Sequence, residues 1–219
     1  MKRFILSLSL VGGLSFASSA QAVSFGFDCI TSSAVACAVG EAQLAVGVTD
    51  SGSGTVTLVF SNSDPGTSVV RGIYIDDGSS QIASTSISGG AGTDFKKGGK
   101  PKDLPGGSAV SFSDDFRFVA RKPKIPNGIG GGESLTIVLT LSGGVTFADV
   151  LAAISEGTLR FGVNLTQADP GCVGSTTPAC IADPGEGSLV NLPNAVPEPF
   201  AAMLGGVACV GLAVIGRRR

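Results

Sequence analysis

Imidazole carries much of the general-base and metal chemistry available near neutral pH, and this 219-residue chain contains no histidine. Ser-His-Asp and Cys-His mechanisms are therefore closed to it, as is any zinc site built on histidine. Cysteines, paired carboxylates and a run of cations remain. Cys29 and Cys37 stand in C-x7-C spacing, and Cys172 and Cys180 repeat that spacing near the other end. Four cysteines allow three pairings, and spacing alone does not choose among them. Local pairing, Cys29 with Cys37 and Cys172 with Cys180, is favoured because each closed loop is small and polar; crossed pairing would instead tie the two ends together. Asp76-Asp77 precede Gly78, and Asp114-Asp115 sit between two short apolar runs. Calcium takes clustered oxygens from such loops, but neither pair has the D-x-D-x-D-G spacing that marks a calcium loop. Aspartate before glycine is ordinary turn chemistry. No metal or cofactor is expected, and nothing in the sequence brings two carboxylates to one cleft for glycoside hydrolysis.

The cations are more concentrated. Lys96, Lys97, Lys100, Lys102, Arg117, Arg121, Lys122 and Lys124 fall together, with only Asp103, Asp114 and Asp115 among them. One reading is a solvated loop region kept soluble by its lysines. The other is a basic patch, formed by these lysines and Arg121, that attracts anionic polymers.

The elements that must position these residues read as β-strands. Period-2 alternation runs through Leu44, Val46 and Val48, then Val56, Leu58 and Phe60, with a Gly/Ser turn between them. Val69 to Ile75, a polar strand over Gln81 to Ile87, Val110 with Phe112, and Phe116 with Phe118 continue the series. Leu135 to Leu141 is the cleanest alternation, and Leu159 to Leu165 closes it. One segment departs: Thr146-Phe147-Ala148-Asp149 matches a capping box, so a short helix is expected over Phe147 to Ser155. The expected fold is all-β, an antiparallel sandwich of roughly seven or eight strands with one short helix; a barrel is the alternative.

Both chain ends differ from this body. Lys2 and Arg3, the apolar run Phe4 to Leu14 and Ala20-Gln21-Ala22 form the three zones of a secretory signal. Residues 1–22 are therefore expected to direct Sec export and be removed by signal peptidase, leaving 23–195 as the β-domain. Residues 200–216 form an uncharged apolar run of 17 residues, about 25 Å as a helix, followed at once by Arg217, Arg218 and Arg219. Such an order predicts a membrane helix with its arginines on the cytoplasmic side and the body outside. Setting aside Lys2, Arg3 and the three terminal arginines leaves ten basic residues against 17 acidic ones, a charge near −7. Export also permits disulfides. It makes nucleic acid a poor partner, and only Phe112, Phe116 and Phe118 are at hand for base stacking.

Val196-Pro197-Glu198-Pro199 precedes the apolar run, and its prolines keep the segment extended. The order VPEP, apolar helix, arginine cluster over residues 196–219 resembles the PEP-CTERM sorting signal of Gram-negative bacteria. That resemblance implies recognition at Pro197, Glu198 and Pro199 by an exosortase, a transient inner-membrane anchor at 200–216, and Arg217 to Arg219 as cytoplasmic stop. It further implies an association with exopolysaccharide and a place on the cell surface or in the extracellular matrix. A non-enzymatic surface or matrix protein is therefore expected. The alternative is a carbohydrate-binding or adhesive module that takes acidic polysaccharide through the basic patch; with no tryptophan and one tyrosine, Tyr74, a stacking platform for neutral sugars is not expected.

Overall fold

Alternation becomes architecture where apolar positions of neighbouring strands fall into one row. A computed structural model describes residues 22–63, 68–90, 92–167 and 186–191. Leu44–Gly52 (β3), Thr55–Asn62 (β4) and Ser134–Leu141 (β9) pair so that Val48, Leu58 and Ile137 lie side by side, as do Val46, Phe60 and Leu135. All six are buried, and full burial of such a side chain stabilises by about 1.5–3 kcal/mol. Ala22–Phe25 (β1) and Ile82–Gly89 (β6) complete a five-stranded antiparallel sheet in the order β1-β3-β4-β9-β6.

The second sheet has six strands. Asp28–Cys29 (β2), Ser68–Asp77 (β5), Phe95–Lys97 (β7), Phe116–Ala120 (β8), Leu159–Gln167 (β10) and Glu186–Val190 (β11) take the order β2-β11-β10-β5-β8-β7, again antiparallel. The two sheets enclose one core, in which the Phe60 ring meets Phe161 edge-on at 6.1 Å. The fold is thus an all-β, sandwich-like pair of sheets, and among the described residues no ladder closes it into a barrel.

Eleven strands appear among the described residues, more than the expected seven or eight. β2 and β7 have two and three residues, too few to show a period, while β1 begins at Ala22 and β11 lies beyond the last expected strand. Val110 and Phe112 do not form a strand. Gly107–Val110 is a 3-10 turn held between Gly106 and Ser111, whose φ values of 78° and 52° are left-handed. A fold with one short helix also needs correction. Phe147–Glu156 (α3) is present with both capping-box bonds, Asp149 N–H to Thr146 Oγ1 at 3.3 Å and Thr146 N–H to Asp149 Oδ2 at 2.8 Å. A second helix, Ala34–Gln43 (α1), was not expected, and Lys124–Asn127 (α2) adds a single turn. α1 is built largely of Ala, Val and Gly, so no polar face marks its period. Its small residues let it lie close on β11: a Cβ at Gly40 would stand 2.6 Å from Leu189 Cδ2. No helix among the described residues is long and apolar enough to cross a membrane; the expected span at 200–216 lies outside them.

Candidate functional site

The two sheets turn different chemistry outward. In β8 the odd-numbered positions Arg117 and Val119 face away from the core, while Phe118 and Ala120 fill it. A covering segment, 98–115, lies over this outer face and packs Leu104 and Phe112 onto Tyr74 and Val190 as a small second core. Gly162 makes the approach possible, since a Cβ there would meet Leu104 Cδ2 at 2.6 Å and Phe112 Cζ at 3.1 Å. Tyr74 is fully buried beneath the cover. Burial, and secondarily the Asp114 carboxylate, push its hydroxyl up to about 12.

Arginines fasten this cover. Arg160 pairs with Asp76, donates to the Val110 carbonyl at 2.8 Å, and holds its guanidinium 5.3 Å from the centre of the Phe112 ring. Asp76 in turn accepts from Ser113 N–H at 3.2 Å. Arg117 bridges Asp114 at 3.1 Å and the Lys102 carbonyl at 2.9 Å. Arg121 pairs with Asp94 at 3.1 Å in the open, a bond of small value in water. The two aspartate pairs are thereby assigned. Asp77 accepts from Gln81 N–H at 2.9 Å and Ile82 N–H at 2.8 Å, closing the β5–β6 turn, and Asp115 accepts from Asp77 N–H at 2.7 Å. Burial raises the pKa of Asp77 and of Asp114. Among the described residues no group of three or more potential ligands could hold a metal ion.

Lysines are distributed differently. Every ion pair among the described residues uses an arginine, and none uses a lysine. Lys97 turns to the open side of the sandwich, 5.4 Å over the Phe116 ring and 3.4 Å from the Thr85 carbonyl of the other sheet. Lys102 is exposed on the cover. Lys96, Lys122 and Lys124 converge instead. Lys96 is exposed on the edge strand, opposite Val119 in a row that continues through Gly72 and Asn164 to Ser188. Lys124, in the turn of helix against β5 and β8, donates to the Lys100 carbonyl at 3.1 Å, which ties it to the main chain of the covering segment.

A fourth cation joins them from far away in sequence. The β5–β10 register shifts between Asn164 and Leu165, leaving Arg71 as the extra residue of a bulge, a device that re-aims a side chain. Arg71 reaches Asn164 Oδ1 at 3.3 Å and pairs with Glu186. The result is a knot of like charges. Burial first, then Arg71, Lys122 and Lys96, push the Lys124 ammonium below its usual pKa, and Glu186 alone of its named neighbours opposes the shift. Such crowding costs free energy unless an anion offsets it, and anion recognition is the chemistry it suits.

Arg71 and Arg160 are the residues that spacing missed. Each is a lone charge inside an apolar strand, SVVRGIYI and LRFGVNL, and that is the one local sign of them. The cysteine reading is met in its described half: Cys29 and Cys37 are disulfide-bonded, tying β2 to α1. Cys172, Cys180, Pro197 to Pro199 and Arg217 to Arg219 lie outside the described residues. Comparison with protein-family models, curated proteins and solved structures finds no match to this chain.

Proposed function

We propose that this chain is an exported, non-enzymatic protein of the cell surface or extracellular matrix, held briefly in the inner membrane by residues 200–216 and processed by an exosortase at Pro197 to Pro199. The carrying observation is the order of Val196-Pro197-Glu198-Pro199, the uncharged apolar run 200–216 and Arg217 to Arg219 in the sequence. The last described residue, Asn191, is held to β10: its N–H donates to the Phe161 carbonyl at 2.9 Å and its side-chain oxygen accepts from Phe161 N–H. The VPEP sequence begins five residues later. The Cys29–Cys37 disulfide supports an oxidising destination, and the aspartate pairs are spent on turns and the cover. Intact mass of the protein from cells and from medium tests the reading. Loss of residues 1–22, and of the segment after the Pro-Glu-Pro motif, is expected in the mature form, with the second cleavage blocked by Pro197→Ala with Pro199→Ala. A mass that keeps 200–219 in every fraction rules processing out.

One observation favours a second reading, in which the body also holds an acidic exopolysaccharide. It is the convergence of Arg71, Lys96, Lys122 and Lys124. The exported protein is expected to be retained on a uronate polymer and released by salt, and Lys122→Gln with Lys124→Gln to abolish retention. Equal retention on neutral dextran, or indifference to salt, removes this reading and leaves the first standing.

A further inference from the structure

The cation cluster already holds one carboxylate, and it belongs to the chain itself. Glu186, the first residue of β11, reaches across β10 to pair with Arg71 on β5. The two ends of this pair are held very differently. Arg71 sits in the bulge, its guanidinium donates to Asn164 Oδ1 at 3.3 Å, and its side chain is 19% exposed. The Glu186 side chain is 44% exposed, and among the described residues its carboxylate bonds to Arg71 alone. Main-chain contacts bring Lys124 beside them. Val70 and Ile129 exchange N–H to carbonyl bonds of 3.0 Å each, and Gly128 packs between Val69 and the Lys124 carbonyl. A Cβ at Gly128 would stand 2.3 Å from Val69 Cγ1 and 3.1 Å from Lys124 O. The turn that carries Lys124 is therefore pinned to β5 at the residue before Arg71. Lys96 and Lys122 act on the same ammonium, so four cations share one carboxylate.

We propose that the seat on Arg71 is the carboxylate subsite of this cluster, and that Glu186 is a built-in competitor which a uronate carboxylate displaces when an acidic polysaccharide binds. The proposal rests on the polysaccharide reading above, and adds to it the seat and the residue that sets its strength. A carboxylate is the group that Arg71 already takes, and a guanidinium fork suits its planar pair of oxygens. Glu186 fills that fork only in part. It bonds through Nη2, which Asn164 shares, while the buried Nε has no partner among the described residues. A buried donor left unpaired is costly, so a freely placed carboxylate can fit better than one tethered to β11.

Exchange at this seat is easy in one direction. An ion pair with one partner in the open is worth little in water, so Glu186 leaves readily. Arg71 stays, because the bulge and Asn164 hold it. Lys96, Lys122 and Lys124 are then at hand for further carboxylates of the same polymer. A neutral glycan brings no charge with which to displace Glu186. The contact that weakens binding of the acidic polymer thus excludes the neutral one.

Equilibrium binding of the full exported chain to soluble polygalacturonate, in mild detergent at low salt, tests the proposal. Glu186→Gln is expected to bind about three- to fivefold tighter than the wild type. Glu156→Gln makes the same charge change on α3 and is expected to gain less than about twofold. In an Arg71→Gln background the gain from Glu186→Gln is expected to vanish. The Tyr74 titration reports whether Arg71→Gln keeps its fold; if it does not, the comparison with Glu156→Gln decides alone. Two kinds of failure are distinguishable. If neither the wild type nor Glu186→Gln binds the polymer, or if both bind its methyl ester equally well, the polysaccharide reading falls and this proposal with it. If the wild type binds in a salt-sensitive way, only the proposal is at stake. It is overturned when Glu186→Gln binds no tighter, gains no more than Glu156→Gln, or keeps its gain without Arg71.

Discussion

On one side of the core, β3, β4 and β9 turn out threonine, serine and valine, and each outward residue needs nothing but its cross-strand neighbours. On the other, β5, β8 and β10 turn out Tyr74, Arg71, Arg117 and Arg160, and each needs a partner from another part of the chain. Arg160 and Asp76 stand 84 residues apart, Arg71 and Glu186 115 apart. Local alternation suffices to build the first face. The second stands only once the 98–115 cover has closed over it, so the two faces should fail separately.

The sharpest contrast comes from striking what both share. Phe161→Ala removes a ring from the common core and should cost about 3–5 kcal/mol. Chemical denaturation should then show one cooperative transition, weakened as a whole. Arg160→Ala acts on one side alone. It strands the buried Asp76 carboxylate and should cost about 3 kcal/mol. Hydrogen exchange should speed up in 98–115 and leave β3, β4 and β9 protected; uniform loss of protection would break the comparison.

Tyr74 reports on the same side by its own titration. It is the sole tyrosine, without tryptophan to mask it, and its hydroxyl is pushed from 10.0 to about 12. A raised pKa means that the folded state favours the neutral phenol. Its contribution to stability is complete below pH 10 and is lost as pH rises through about 12. Phenolate absorbance should therefore appear late in the wild type and move toward the ordinary range in Arg160→Ala. A wild-type midpoint at the ordinary value would show that the cover does not close.

Smaller effects sharpen the contrast. Thr146→Ala removes the α3 cap, costing about 1 kcal/mol, and should lower the thermal midpoint without touching the Tyr74 titration. Val59→Thr, on the plain face, should change stability by less than about 0.5 kcal/mol in unfolding experiments.

Legibility followed the same division. The strands at 44–52, 55–62 and 134–141 could be read directly, because alternation there maps one residue in and one out with no competing demand. The capping box named α3 for a similar reason, since both of its bonds join residues three apart. Val110 with Phe112 misled because apolar residues two apart look like a strand whatever they cover. Here they belong to a turn and a lid on Tyr74. The cation run was legible as a run, but not as a site: Lys97 turns away from it, Arg117 is consumed by Asp114, and Arg71 arrives from another strand.

By itself, then, the sequence determined the features written in short intervals: the all-β pattern, which side of each long strand faces the core, the capped helix, and the absence of imidazole chemistry. Tertiary structure alone decided the order of strands in two sheets, the cover held by Arg160 and Asp76, and the gathering of lysines around Arg71. The physical reason is range. Periodicity and caps act over a few bonds of one segment, whereas pairing and charge clustering depend on which distant segments the core brings together.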